Sequence, residues 1–335
     1  MAREKAAGKI ILISYLLLFL AAAALIFVGR YRIDANDLLS LLKGKATKDA
    51  LAAAHVLLVV RLPRLLSAVL VGSALSVSGA AYQGIFKNPM VSPSLLGVSS
   101  GAGFGAALSI VLKLSGTWTQ LFAFAFGIAA VSIVYFTSSL VSKGNNKTLT
   151  IVLVGVVVSS LFASLISLIK YVGDPLDDLP AITFWLMGSL SSVMMADVWP
   201  SAIPILIGII GLMVIKWRIN IMSLSEEEAM SLGLATNKVR FLAIACATLA
   251  TAGSVSLSGN IGWVGLVIPH IMRMFVGNDY KYVIPASIAG GGLYILIIDM
   301  LSRSLFAVEI PLGILTAVIG TPMFLYIMVK RKKFI

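Results

Sequence analysis

The chain has 335 residues, 59% hydrophobic and only 12% charged, with 26 Lys and Arg against 14 Asp and Glu and a formal net charge of +12. Soluble domains carry about twice that charged fraction, so the composition excludes an ordinary soluble fold and its length-per-domain arithmetic. The basic excess does not point to nucleic acid, because in membrane proteins Lys and Arg collect in cytoplasmic loops, and a single cysteine, Cys246 in an apolar run, excludes an internal disulfide.

Arg3, Lys5 and Lys9 precede the first apolar run, Ile10–Val28. A secretory signal peptide begins in the same way. The run is long, however, and no small-x-small cleavage site follows it at Gly29–Arg32, so an uncleaved first span is expected. Further apolar runs follow at Pro63–Tyr82, Leu95–Leu114, Trp118–Leu140, Leu149–Ile169, Val198–Ile215, Val239–Leu257, Gly262–Val276, Tyr282–Leu301 and Leu312–Val329. A helix needs about 20 apolar residues to cross a bilayer, so these read as about ten spans, with Gly262–Val276 the shortest. The expected fold is all-α and polytopic, a single transmembrane domain over residues 1–335.

An even number of spans puts both termini on one side. With the termini in the cytoplasm, most basic residues fall inside, among them Lys87, Lys143, Lys147, Lys216, Arg218, Lys238, Arg240, Arg273, Lys281, Lys330, Arg331, Lys332 and Lys333. The first outer loop breaks the pattern with Arg30, Arg32, Lys43, Lys45, Lys48 and Arg61, and Arg64 lies just inside the second span. Such arginines either snorkel to headgroups or await an acidic partner outside. The outer loop Gly173–Val193 carries Asp174, Asp177 and Asp178, and its Trp185 reads as an interfacial aromatic. A faint internal echo, S-x-S-G-x9-P, recurs at Ser76–Pro89 and Ser256–Pro269, as an inverted repeat would produce.

Few residues suggest chemistry. Gly97, Gly101 and Gly105, and Gly290–Gly292, mark close helix packing, with pathway lining as the alternative. Asp299 and His270 are the main ionisable groups within spans, with Asp197 at a helix end. Asp299 is four residues from Arg303, the spacing of a structural ion pair. His55, His270 and Cys246 are too scattered for a metal site. No catalytic residues are expected: there is no nucleophile elbow, and Gly44-Lys45 is followed by Ala46, so no phosphate-binding loop is present.

The inside loop at 216–238 is the richest polar segment. Ser225-Glu226-Glu227-Glu228 forms a capping box, the three acids suit the positive end of a helix dipole, and Gly233 stops the helix after about two turns. Such a helix is either a connector or a docking element.

Taken together, Arg61-Leu-Pro-Arg64, Ser78-Gly79, Gln83, Asn88-Pro89, Pro93 and Leu96–Ala102, then Ala229 with Ser231-Leu232-Gly233, then Gly265–Arg273 and Glu309–Gly313, resemble the permease family of type II ABC importers for iron–siderophores, haem and vitamin B12. The resemblance covers nearly the whole chain in order. It implies a homodimer in a prokaryotic cytoplasmic (inner) membrane, two ATPase subunits that carry the ATP and Mg, and an extracytoplasmic binding protein. This chain would bind no cofactor itself. The resemblance assigns docking of the binding protein to Arg61, Arg64 and Arg303. It assigns coupling to Ser225, Glu226, Glu227, Glu228, Ala229, Leu232 and Gly233, and a cytoplasmic gate to Asn88, Met90 and Thr148, where Met90 replaces a commoner leucine. Iron–siderophore is the first substrate expected, with haem and cobalamin next. The rival classes are a secondary transporter, which would need an intramembrane acid such as Asp299, a membrane-embedded enzyme, which would need a nucleophile or metal site, and a type I importer, whose E-A-A-x3-G loop is absent.

Overall fold

The computed structural model describes residues 2–29, 31, 34, 47–141, 147–305 and 308–331. Of the residues used for orientation, Arg30, Arg32, Lys43, Lys45, Lys143, Lys332 and Lys333 lie outside the described residues, as does Gly44-Lys45-Ala46. In chain order the helices are α1 Ala2–Leu25, α2 Lys48–His55, α3 Leu62–Ile85, α4 Val98–Val111, α5 Gly116–Val141, α6 Lys147–Val172, α7 Asp178–Met187, α8 Met195–Met222, α9 Glu226–Ser231, α10 Thr236–Ser258, α11 Val264–Val276, α12 Tyr280–Ser304 and α13 Leu312–Arg331. A π-helical stretch, Val56–Arg61, joins α2 to α3 without a break, so that helix runs from Lys48 to Ile85.

Among the described residues, eight helices are long and apolar enough to cross a membrane. The predicted spans Leu95–Leu114 and Gly262–Val276 become the shorter α4 and α11, of 14 and 13 residues. At 1.5 Å per residue each reaches roughly 20 Å, short of a hydrocarbon core of about 30 Å. Backbone punctuation trims them. Pro93–Leu96 is a 3₁₀ turn, Gly97 takes φ 85°, and Lys113 takes φ 55° just beyond α4. Ahead of α11, Gly259 and Trp263 take φ 70° and 69°.

The bundle is built around α3 and α10. Every residue from Val71 to Ile85 and from Ala250 to Gly259 is buried. With no hydrophobic drive between helices in lipid, small residues supply contact by letting backbones touch. A Cβ on Gly72 would overlap the Gly291 carbonyl, and one on Gly291 would overlap the Gly72 carbonyl. Gly79 meets the Gly265 carbonyl in the same way. Gly101 and Gly105 seat α4 on the Phe126 and Phe122 carbonyls of α5. Packing, not pathway lining, is therefore the role of these glycines.

Gly291→Val should cost the fold at least about 3 kcal/mol, the upper end for overpacking, because the obstructing atoms are backbone. Gly290→Ala should be tolerated, because the nearest atoms belong to the flexible end of Met272. Thermal unfolding in detergent distinguishes the two; equal midpoints would show that the α3–α12 contact is not rigid.

Trp185 is half-buried and packs on Ala102, Ala106, Ala123 and Val255. One reading changes: the S-x-S-G echo does not repeat one local structure. Ser76–Gly79 lies inside continuous α3, whereas Ser256–Gly259 ends α10.

Candidate functional site

Three places gather the polar groups of this apolar chain. The first lies where α3 begins. Arg61 and Arg64 are both buried. Arg64 donates Nε to Asp299 Oδ1 at 2.7 Å and its two terminal nitrogens to Glu309 at 3.0 and 2.9 Å. A planar guanidinium satisfies two carboxylates in this way where a lysine cannot. Arg303 Nε stands 3.6 Å from Asp299 Oδ2, so the expected i,i+4 pair forms. Arg61 donates to the Ile26 and Tyr31 carbonyls, at 2.9 and 2.5 Å, and Arg303 to that of Leu25 at 3.3 Å. Arg61 and Arg303 thus tie their helices to carbonyls at and beyond the end of α1. The structure brings Arg61, Arg64 and Arg303 together with Asp299 and Glu309. Three positive charges face two negative ones, and Glu309, about one third exposed, is the accessible acid of the set.

The second place is the turn that leads into α9. Ser225 Oγ accepts the Glu228 N–H at 3.2 Å, while Glu228 Oε2 accepts from Ser225 N at 2.9 Å and Oγ at 2.8 Å. The capping box read from the sequence is therefore formed. Those donors from Ser225 hold the Glu228 carboxyl below the usual carboxylate range. Gly233 ends the turn at φ 76°. Ala229 is buried as the foot of α9, Glu227 is exposed, and Met230 and Leu232 are 53% and 64% exposed. Glu226 reaches the other way, to Arg240 at 3.4 Å. The short helix is thus pinned on one face and presents two apolar side chains on the other.

A cavity of about 200 Å³ under this helix is lined by Thr148, Lys87, Ser225, Glu226 and Ala229 among others. Thr148, at the start of α6, therefore sits against α9. Asn88 and Met90 do not join it. They form an exposed turn in which Asn88 Oδ1 accepts the Met90 N–H at 2.9 Å. Lys87 makes the connection instead, donating its ammonium to the Leu224 carbonyl from a backbone at φ 53°. Sequence reasoning counted Lys87 only as an inside charge; its place directly after α3 and before Asn88-Pro89 was the available signal.

The third place was not anticipated. Three non-helical segments converge where α7 and α10 end and α13 begins. Ser189 N–H donates to the Ser258 carbonyl, and Leu312 N–H to the Gly188 carbonyl, each at 2.8 Å. Gly313 is pressed against the carbonyls of Met187 and Asn260. Gly320, seven residues further along α13, meets Trp263 at the start of α11. The break therefore lies roughly 10 Å along α13. Irregular backbone inside a membrane bundle survives only where protein or a cavity satisfies it, and broken helices mark pathways in many transporters. Gly188, Gly259 and Gly313 were its sequence signal, hidden among 29 glycines.

Outside the spans, Lys113 and the buried Asp178 pair at 2.5 Å, which raises the lysine and holds the carboxyl low. His270 packs its ring edge-on to Phe324, a structural contact, and Asp197 Oδ2 caps the Met194 N–H at 2.9 Å. Among the described residues no cluster of His, Cys, Asp and Glu is arranged to hold a metal.

Comparison with known proteins agrees with this architecture. The chain is 38% identical to the molybdate import system permease protein MolB of Haemophilus influenzae over 95% of its own length and 94% of that protein. It is 38% identical to a probable iron chelatin transport system permease of Helicobacter pylori, with 83% of each covered. The solved structure of a metal-chelate type ABC transporter in an inward-facing conformation superposes with a TM-score of 0.87 at 36% identity, over 96% of this chain and 99% of that one. The profile of the FecCD transport family matches residues 15–330. An all-helical bundle of this length, with its glycine-seated core, belongs to the FecCD transport family, the multi-pass permeases of ABC importers for metal chelates, and the chain is a transport subunit with no catalysis of its own.

Proposed function

We propose that this permease works as a homodimer, with both termini in the cytoplasm, between two ATPase subunits inside and one substrate-binding protein outside, and that its cargo is an iron–siderophore, with haem or cobalamin as the nearest alternatives. The self-capped helix α9 carries the reading. A helix of six residues has little stability of its own. Here Ser225 and Glu228 close its start, Gly233 closes its end and Ala229 anchors it, leaving the Met230 and Leu232 side chains exposed. That is the form of a plug that seats in another protein's groove.

The mechanism is alternating access. The loaded binding protein docks at the mouth formed by Arg61, Arg64 and Arg303. An incoming carboxylate meets a net positive cluster and competes with Glu309, the accessible acid. ATP binding and hydrolysis on the partners displace α9. The displacement reaches α3 through Lys87 and Leu224, and α6 through the cavity shared with Thr148, so that the turn at Asn88 and Met90 and the start of α6 act as the gate. The scarcity of charge within the spans suits a pathway that holds a bulky chelate weakly and releases it.

Purification from native membranes in mild detergent, followed by mass spectrometry, tests the assembly. Two permeases with two ATPases are expected. A lone permease, in a preparation where other complexes survive, would end this reading. The co-purified binding protein then tests the cargo: it should retain a ferric siderophore in preference to molybdate, and the reverse preference would move the cargo to that oxyanion.

A further inference from the structure

One cavity reaches beyond the scheme above, although Lys87 and Asn88, which that scheme uses, help to line it. It encloses about 530 Å³ at the end of the bundle that holds the coupling segment. Its walls come from the last turns of α3, α11 and α13, the turn after α3, and the start of α12, with Ser223 from the turn after α8. Lys87, Arg273 and Lys330 all line it, and no Asp or Glu among the described residues does. The arrangement of these cations is deliberate in chemical terms. Lys87 spends one donor on the Leu224 carbonyl and keeps two, since an ammonium has three. Arg273 lies over the Tyr280 ring at 5.9 Å and donates to its hydroxyl at 3.4 Å. Lys330 lies over the Tyr326 ring at 5.7 Å. Lys87 and Lys330 have no salt bridge among the described residues.

The acids nearby are occupied elsewhere. Asp279 caps the Lys281 N–H at 2.8 Å, and Glu228 closes the capping box of α9. Three cations on one lining, with no carboxylate among the described lining residues, attract an anion. One more group points to a ligand with hydroxyls. Gln83 is 2% exposed and lines the cavity, and its Nε2 faces the Gly265 and Leu266 carbonyls. That fixes the amide's orientation and leaves Oε1 buried with no protein donor. An acceptor beside three cations fits a phosphate that carries a neighbouring hydroxyl.

We propose that this cavity binds the phosphate of an anionic, hydroxyl-bearing lipid headgroup such as phosphatidylglycerol. Free phosphate shares the charge, but two features favour lipid. The volume is several times that of one phosphate. Met274 and Tyr326 line the cavity and are 61% and 64% exposed, an apolar border along which acyl chains can lie. Basic pockets between helices on the cytoplasmic side are suited to acidic headgroups. Bound lipid would tie α3, α11 and α13 together beside the segment proposed to couple to ATP, and so would set how firmly that end is held.

Cys246 is buried and is the chain's one cysteine, so a thiol-reactive dye reports unfolding of the purified full-length permease. Phosphatidylglycerol should raise the unfolding midpoint of wild type, and phosphatidylcholine should not. Lys330 is exposed, so Lys330→Glu keeps the fold and should abolish the rise. Combining Lys330→Gln with Arg273→Gln should weaken lipid binding roughly 30-fold, on the scale of one basic side chain near an anionic surface taken twice. Gln83→Leu should reduce the response to phosphatidylglycerol while sparing that to phosphatidic acid, which lacks the glycerol hydroxyls. A phosphatidylglycerol response that is absent, or unchanged in Lys330→Glu, overturns the site. An equal response to inorganic phosphate overturns the lipid as its occupant.

Discussion

Asp299→Ala should lower the stability of the permease by about 3–5 kcal/mol, the cost of stranding a buried charge. Asp299 is 2% exposed and holds Arg64 at 2.7 Å and Arg303 at 3.6 Å. Without it Arg64 keeps Glu309, whereas Arg303 keeps only the Leu25 carbonyl. Asp299→Asn preserves shape and an acceptor and should cost less. The double variant Arg303→Met with Asp299→Leu should recover much of the loss, because Arg64 keeps Glu309 and apolar groups of similar volume replace the other buried pair at little cost. Thermal unfolding in detergent reads all three. Uptake in proteoliposomes separates this structural role from proton coupling. Asp299→Asn should leave whatever transport survives dependent on ATP. ATP-independent uptake abolished by Asp299→Asn in a normally folded protein would instead place this aspartate at the centre of a secondary transporter.

Gly233→Pro combined with Glu228→Ala should leave ATP hydrolysis by the assembled complex running while transport per ATP falls to background. Gly233 sits at φ 76°, and proline is locked near −65°, so the helix stop must rebuild. Glu228→Ala removes the acceptor that ties Ser225 back onto α9. Neither residue is in the core, so stability should change little and the defect should be specific to coupling. Normal transport per ATP would return the segment to a mere connector. The pH dependence has a definite sign. The Glu228 carboxyl is held low when folded, so its cap is fully present above the ordinary glutamate range of about 4.3 and is lost as pH falls through the lowered value. Coupling through α9 should therefore be insensitive to pH across the neutral range.

What the sequence disclosed follows from the range of its signals. The capping box spans Ser225 to Glu228, the ion pair spans Asp299 to Arg303, and both formed because helix geometry alone brings residues three or four apart together. Apolar runs coincide with all eight helices that are long enough to cross a membrane among the described residues, but a hydropathy reading measures apolarity, not helix length. The short helices α4 and α11 are as apolar as full spans; only Gly97, Lys113 and Trp263, at positive φ, reveal where they stop. Arg61 and Arg64 were recognisable as charges at a mouth, but Arg64 is held by Asp299 and Glu309, more than 230 positions away, and Arg61 by the Ile26 and Tyr31 carbonyls. The meeting of Gly188, Ser258 and Leu312 is likewise a matter of tertiary packing, with no local pattern to announce it. The contact of Trp185 with Ala102, Ala106, Ala123 and Val255 is also tertiary, since residue type alone does not say what a tryptophan packs on.

The contacts of α3 carry a mechanical consequence. Where two helices meet through side chains, they can slide, because rotamers exchange and the layer between them yields. Where Gly72 meets Gly291 and Gly79 meets Gly265, backbone rests on backbone and there is no such layer. In these places α3, α11 and α12 have no lubricant. They form a stiff axle, and α6 and α13, which bury far less of themselves, form a compliant rim. Motion that opens one side of the membrane and closes the other must then pivot at the turns, such as Lys87–Ser92 and Gly259–Trp263, with the axle carried as one piece.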